Sequence, residues 1–323
     1  MTKLLITRHD KIGDFVLALP LCKAIKTAHP EIQLSVLVSK VNFDFARELD
    51  FIDDVILYSE NANETLAQIK RRRFNASISC FIDTQLGWLL WRASIPKRIA
   101  PATKFAQLFF NQRVTQRRSL VEKTEWQYNL DLGRVLFPNE PLSFTPPLIQ
   151  FEDLAPKNRV VFHPGFGGSS DGNLKIEDYL RLARTVSRKV SGTKQVPDTL
   201  PSPEVVFTFG PDDQKTRDEV ASKLDFPATL IKSRMSLIEF CRFIAESRLF
   251  ISTSTGPMHL AGAVNTPTIS FFGESLFASS KRWATISEPA RQHNFMLGQH
   301  YRRETVDQIE TEMLRALTQG GRK

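Results

Sequence analysis

At 323 residues, 41% of them hydrophobic and 10% aromatic, the chain is too long for one ordinary core and suits two domains of about 150 residues each. A charged fraction of 24% excludes a disordered or collagenous chain, and three dispersed cysteines, Cys22, Cys80 and Cys241, exclude a disulfide framework or a zinc site and fit a reducing compartment. The net charge of +8 calls for an anionic partner without choosing among nucleic acid, a phospholipid surface and an acidic substrate.

The N-terminal run turns polar at Arg8-His9-Asp10, so it lacks a signal-peptide core. No stretch elsewhere approaches the roughly 20 apolar residues of a spanning helix, and a cytoplasmic protein is expected. In chain order the first half alternates β-rich runs with amphipathic helical patterns. Strands are predicted over 4–7, 33–38, 54–57, 76–81 and 98–100, with helices over about 15–28 and from about 42. Such alternation means a parallel sheet with helices on both faces. The proline-rich stretch 138–156, with Pro141, Pro146 and Pro147, interrupts the pattern as a linker.

The alternation then restarts. Strands are predicted over 159–163, 204–209, 228–231, 249–252 and 268–272, and helices over 176–190 and from about 214, 237 and 257. Residues 191–203 read as an exposed loop. A final helix over 306–317, apolar at Val306, Ile309, Met313 and Leu317, needs a surface to cover, and the first domain is the expected one. The expected division is therefore 1–150, 157–300 and the helical segment 301–323.

In open α/β sheets ligands bind beyond the carboxyl ends of the strands. The turn after the first strand, Arg8-His9-Asp10-Lys11-Ile12-Gly13-Asp14, concentrates charge where a polar ligand would balance it. The segment His163-Pro164-Gly165-Phe166-Gly167-Gly168-Ser169-Ser170 outlines a phosphate cradle, because glycines let backbone N–H groups approach a phosphate; a plain turn is the competing reading. Ser252-Thr253-Ser254-Thr255-Gly256-Pro257-Met258-His259 leads into a helix with Pro in its first turn, an anion site by its free amides. Two such loops point to a diphosphate. Asp212 and Asp213 offer a carboxylate for a ribose, or a helix N-cap.

Residues 8–20 (RHDKIGDFVLALP), 163–170 (HPGFGGSS), Arg234-Met235-Ser236-Leu237 and residues 254–273 (STGPMHLAGAVNTPTISFFG) resemble the four signature blocks of glycosyltransferase family 9, the heptosyltransferases, in order across almost the whole chain. The resemblance implies an α/β fold of the GT-B type: two facing Rossmann-like, doubly wound parallel-sheet domains, acceptor on the first and ADP-heptose on the second. Gly13-Asp14 matches the family's Gly-Asp pair, whose aspartate deprotonates the acceptor hydroxyl; a first-turn helix carboxylate is the competing reading of Asp14. The resemblance places the donor on Gly165, Gly167, Gly168, Ser169, Lys175, Met235, Ser254, Thr255, Gly256 and His259, with Met235 at a backbone contact to adenine. The chain departs from the family in having Ser254 where an acidic residue is frequent and Lys175 where proline is usual.

The implied reaction is direct, inverting transfer of heptose from ADP-heptose to the anionic inner core of lipopolysaccharide, with no cofactor and no metal. Lys11, Arg71, Arg72 and Arg73 are the expected acceptor contacts, and Lys97, Arg98, Arg113, Arg117 and Arg118 add positive charge for the acceptor or the cytoplasmic face of the inner membrane. The alternatives are a nucleotide-sugar isomerase on the same scaffold and a basic nucleic-acid-binding protein. The latter predicts aromatic residues interleaved with Lys and Arg, whereas the 24 phenylalanines fall largely at core positions; no nucleic acid partner is expected.

Overall fold

The computed structural model describes residues 2–165, 172–188 and 203–319, and the chain divides into two units, Met1–Leu148 and Ile149–Lys323. The first contains β1 (Lys3–Arg8), α1 (Ile12–Val16), α2 (Leu19–Ala28), β2 (Gln33–Val38), α3 (Lys40–Arg47), β3 (Asp54–Leu57), α4 (Ala62–Arg72), β4 (Ala76–Ser79), α5 (Thr84–Arg92), β5 (Lys97–Pro101), β6 (Gln112–Val114) and α6 (Glu125–Arg134). All its strands are parallel, in the order β3-β2-β1-β4-β5-β6. β1 is buried from Leu4 through Arg8, as a strand covered on both faces must be. Leu5, Leu37 and Ile56 from three adjacent strands meet Ile69 of α4 and Leu86, Leu89 and Leu90 of α5 in one core.

The helix predicted over 15–28 is two helices. The chain turns at Leu17 and Ala18, and Pro20 falls in the first turn of α2, where its missing N–H is no loss. α4 begins on an Asn61 cap accepting from the Asn63 N–H at 3.1 Å and ends on Arg73 in the left-handed region at φ 55°. β6 escapes prediction because Gln112 and Arg113 are exposed on an edge strand and give no hydrophobic signal.

The second unit contains β7 (Arg159–His163), α7 (Ile176–Arg188), β8 (Glu204–Phe209), α8 (Gln214–Lys223), β9 (Thr229–Lys232), α9 (Leu237–Ala245), β10 (Leu249–Thr253), α10 (Gly256–Ala263), β11 (Thr268–Gly273), α11 (Ser280–Trp283), β12 (Gln292–Leu297) and α12 (Arg303–Gln319). Its sheet is again all parallel, in the order β12-β11-β10-β7-β8-β9. Each unit is thus a doubly wound α/β domain, with a strand order that reverses at one place: between β1 and β4 in the first, between β7 and β10 in the second. Those reversals leave crevices at the carboxyl edges, where ligands bind in this architecture.

The last helix corrects the expectation that its apolar stripe covers the first domain. Ile309 and Met313 of α12 are fully buried in the core of the second unit, with Leu314, Ala316 and Leu317 packed against it. Arg181 of α7 clamps α12 through Asp307 and Glu310, the latter at 2.6 Å. Among the described residues no helix is long and apolar enough to cross a membrane, and the three cysteines are buried and unpaired.

Candidate active site

At the β1/β4 crevice a buried arginine organises the charge that the sequence concentrates after β1. Arg8 donates from Nε to Asp10 Oδ1 at 2.8 Å, from Nη2 to Asp14 Oδ1, and from Nη1 to Glu125 Oε1 at 3.4 Å and the Cys80 carbonyl at 3.2 Å. Glu125, the first residue of α6, also accepts from Arg118 Nη1 at 2.5 Å. Three carboxylates around Arg8 outweigh the burial that alone would lower its pKa, and raise it. The carboxylates differ in access: Glu125 is sealed at 2% exposure, whereas Asp14 at 18% and Asp10 at 22% reach solvent.

Burial pushes the Asp14 carboxyl above the usual carboxylate range, with Asp10 and Glu125 adding to the shift and Arg8 opposing it. Asp14 is the third residue of α1, where a capping carboxylate would turn back to the N-cap N–H. Here it points to Arg8 instead, and Lys11 at the N-cap has no side-chain cap. Local helix capping therefore does not account for Asp14. The loop itself is fixed from below: Ser39 Oγ and Asn42 Nδ2 donate to the Asp10 carbonyl at 2.9 and 3.3 Å.

A second pair lies at the same crevice. His9 Nε2 meets Asp83 Oδ2 at 2.6 Å, the ring lying against Tyr58 and Phe81 at centroid distances of 4.3 and 5.4 Å. Asp83 caps α5 by accepting from the Leu86 N–H at 2.8 Å. Burial raises its pKa, but the His9 contact and the backbone donors outweigh this and lower it. Glu125, Arg118 and Asp83 carry no local motif; they enter the site only because the fold brings distant segments to the carboxyl ends of β1 and β4.

Arg71, Arg72 and Arg73 are not brought to this edge, which corrects their expected acceptor role. α4 runs back against the strand direction, and Arg72 Nε reaches Oδ2 of Asp54, the first residue of β3, at 2.5 Å. The parallel strands put that contact at the amino edge of the sheet, opposite Asp14. Lys97 and Arg98 open β5 at the same amino edge. Lys11 is exposed beside Asp14, and Arg118 is the member of the basic clusters tied to the Asp14 network.

In the second unit the loops after β7, β8, β9 and β10 share the carboxyl edge. Gly167, Gly168 and Ser169, and the loop 191–202, lie outside the described residues. Gly165 faces Asp213: a Cβ there would lie 2.1 Å from Asp213 Oδ2, so a larger residue would have to displace that carboxylate. Asp213 takes the N-cap position of α8 and accepts from the Gly210 N–H at 2.8 Å, binding the β8 loop to its own helix. Lys175 precedes α7 with its side chain exposed, and its N–H donates to the Tyr301 hydroxyl at 2.7 Å. Met235 is half-buried between β9 and α9.

α10 begins after Thr255, whose side chain turns to the Thr253 carbonyl at 3.3 Å and makes no cap bond. With Pro257 in the first turn, the N–H groups of Gly256 and Met258 have no intrahelical partner, an anion site. The Ser254 N–H is committed to the Phe271 carbonyl at 2.8 Å. Thr253 Oγ1 donates to the Gly172 carbonyl, tying the β10 and β7 loops together at the strand reversal. For His259, expected to add positive charge for a diphosphate, burial lowers the pKa to about 4 and so disfavours the charged ring. His163 is held at about 4 by burial against the attraction of Asp213.

Among the described residues no group of three His, Cys, Asp or Glu side chains stands close enough to hold a metal ion. The chain is 33% identical over 313 residues to a candidate glycosyltransferase of Haemophilus influenzae, the match spanning 89% of this chain and 87% of that protein. It is 36% identical over 84 residues to lipopolysaccharide heptosyltransferase 3 of Escherichia coli, 25% of each chain. In fold it is similar to E. coli ADP-heptose lipopolysaccharide heptosyltransferase II, with a TM-score of 0.79 at 15% identity over 99% of both chains. The profile of glycosyltransferase family 9 (heptosyltransferase) matches residues 201–311, which take in the α10 anion site and the β8 and β9 loops. With the near full-length relative and the two doubly wound domains, that match makes this glycosyltransferase a member of family 9.

Proposed function

We propose that the chain transfers a heptose from ADP-heptose to the anionic inner core of lipopolysaccharide, with inversion and without a metal or other cofactor. The observation that carries the reading is Asp14: a solvent-reaching carboxylate held by Arg8 at the strand reversal, its proton affinity raised by burial and by two neighbouring carboxylates. A raised pKa brings a general base closer to the pH at which it works. Support for the donor comes from the α10 anion site and from the similarity to a heptosyltransferase named for ADP-heptose. Support for the acceptor comes from the similarity to lipopolysaccharide heptosyltransferase 3. The reading places the protein at the cytoplasmic face of the inner membrane, with no nucleic acid partner.

In this mechanism Asp14 Oδ accepts the proton of the acceptor hydroxyl as that oxygen bonds to the anomeric carbon. The bond from that carbon to the diphosphate oxygen breaks, and the electron pair leaves with ADP. Because the nucleophile enters opposite the leaving group, configuration inverts. Charge growing on the diphosphate is met by the first-turn amides of α10 and by Lys175, with His259, whose charged form burial disfavours, close behind them in the same turn. Arg8 fixes the base and limits how far its proton affinity rises.

The test is turnover of ADP-heptose by the purified protein with Kdo-lipid A or truncated lipopolysaccharide, product read by mass spectrometry, with Asp14→Ala in parallel. Heptose addition that vanishes in the variant is expected. No addition to any core acceptor, or conversion of the sugar nucleotide with no acceptor present, overturns the reading.

A further inference from the structure

We propose that Tyr301, from the turn between β12 and α12, is a positioning residue of the donor site, its hydroxyl fixing the N-terminus of α7 and with it Lys175. The proposal rests on the role given above to Lys175 in meeting the diphosphate.

Lys175 precedes Ile176, the first residue of α7, and its carbonyl accepts from the Asp178 and Tyr179 N–H groups, each at 3.1 Å, which makes it the N-cap residue. An acidic side chain three residues after an N-cap can take the N-cap N–H itself and close a local box. Here that N–H donates to Tyr301 Oη at 2.7 Å, and the hydroxyl donates in turn to Asp178 Oδ2. A side chain 126 positions along the chain is thus inserted into a bond that the helix could have made alone.

Packing does not require this hydroxyl. The Tyr301 ring lies against the core of the second unit, and α12, which begins two residues later at Arg303, is held to α7 separately by Arg181 with Asp307 and Glu310. Burial, and next the bond to Asp178, push the Tyr301 pKa well up, so the hydroxyl keeps the proton that it donates.

The residues before Lys175 are tied as firmly. Asn173 Nδ2 donates to the Pro164 carbonyl at 3.3 Å, and Asn173 Oδ1 accepts from Tyr179 Oη at 2.8 Å and from the Leu174 N–H at 2.9 Å. The Lys175 side chain is exposed, while the backbone that carries it is bonded to the β7 loop, to α7 and to Tyr301. A long side chain meets a phosphate at a set place only if its root is fixed, and a misplacement of about 1 Å can cost a site roughly 10²-fold.

The test is calorimetric titration of ADP into the full chain as wild type, Tyr301→Phe, Lys175→Met and the double variant. Lys175→Met is expected to raise the Kd at least about 10-fold, the loss of a charged hydrogen bond. Tyr301→Phe is expected to raise it roughly 3- to 10-fold with its ring still packed, and the double variant to bind no worse than Lys175→Met alone. Arg181→Ala, which loosens α12 without removing the hydroxyl, is expected to lower Tm and leave the Kd at the wild-type value. The proposal is overturned if Tyr301→Phe binds ADP as wild type does, if it weakens binding equally with and without Lys175, or if Arg181→Ala weakens binding as much. It is overturned too if Lys175→Met binds ADP normally, a result that leaves the donor on the α10 amides. A wild-type chain that does not bind ADP is a different failure, that of the donor reading itself, and takes the proposal with it.

Discussion

Asp14→Asn separates the two roles that a carboxylate in this position can have, because it removes the charge and the proton acceptor while keeping the shape. Arg8 does not lose its other partners: Asp10 remains at 2.8 Å and Glu125 at 3.4 Å. The folded state raises the proton affinity of Asp14, so its contribution to stability is full below the unfolded pKa and is lost as pH rises through the folded one; at pH 7 the ionised group counts against the fold. Substitution by Asn is therefore expected to leave Tm unchanged or higher. Loss of a general base is expected to lower kcat by about 10² to 10⁴, which is roughly 2.7–5.5 kcal/mol of transition-state stabilisation. A first-turn carboxylate serving only the helix would give the opposite pair of results, a loss of about 0.3–1 kcal/mol in stability with kcat near wild type. ADP release under saturating acceptor gives kcat, and calorimetry gives Tm. A variant with kcat within about tenfold of wild type and a lower Tm would refute the assignment.

Glu125→Gln removes one of the charges that raise the Asp14 pKa, so the acid limb of the kcat/KM profile is expected to move to lower pH; a limb that stays in place or moves up contradicts the coupling. Gly172→Ala places a Cβ 2.2 Å from the backbone carbonyl carbon of Phe272, a contact no rotamer relieves. A loss of about 1–3 kcal/mol, or roughly 2–9 °C in Tm, is expected by calorimetry. Arg72→Ala breaks the half-buried pair with Asp54 at the amino edge of the sheet and is expected to cost up to about 1 kcal/mol while leaving the acceptor KM unchanged.

The two-domain α/β plan was legible because the signals that set it are local: apolar runs of strand length alternating with amphipathic helices. What escaped has physical reasons. β12 alternates half-exposed and exposed residues through Met296, so its hydrophobic signal is weak. Asp14, the proposed base, stands in a local motif, but its environment does not, since Glu125 and Arg118 arrive from segments more than a hundred residues away. Arg71 to Arg73 misled because charge density says nothing about which edge of a sheet a helix end reaches. Gly165 was legible as part of a glycine-rich turn, yet Asp213, the carboxylate it lies against, is visible only in the fold.

The two crevices use one architecture for opposite electrostatics. The first gathers acidic and basic side chains, Arg8 among Asp10, Asp14 and Glu125. The second offers backbone N–H groups, hydroxyls and histidines that burial keeps neutral, with pKa values of about 4 for both His163 and His259. A histidine that titrates near 6.5 in the unfolded chain and near 4 in the fold binds its proton more readily when unfolded. Each such group leaves stability intact above the unfolded value and withdraws it as pH falls toward the folded one. Thermal stability is therefore expected to drop between pH 6.5 and 4, and less steeply in His259→Gln. Activity at pH 5–7 is expected to show no limb from His163 or His259, because neither ring changes charge there, so an acid limb is expected from the carboxylates of the first crevice. A pH dependence of melting that His259→Gln leaves unchanged, together with an acid limb of kcat that the same variant abolishes, would refute a neutral His259 and restore it as a cation for the diphosphate.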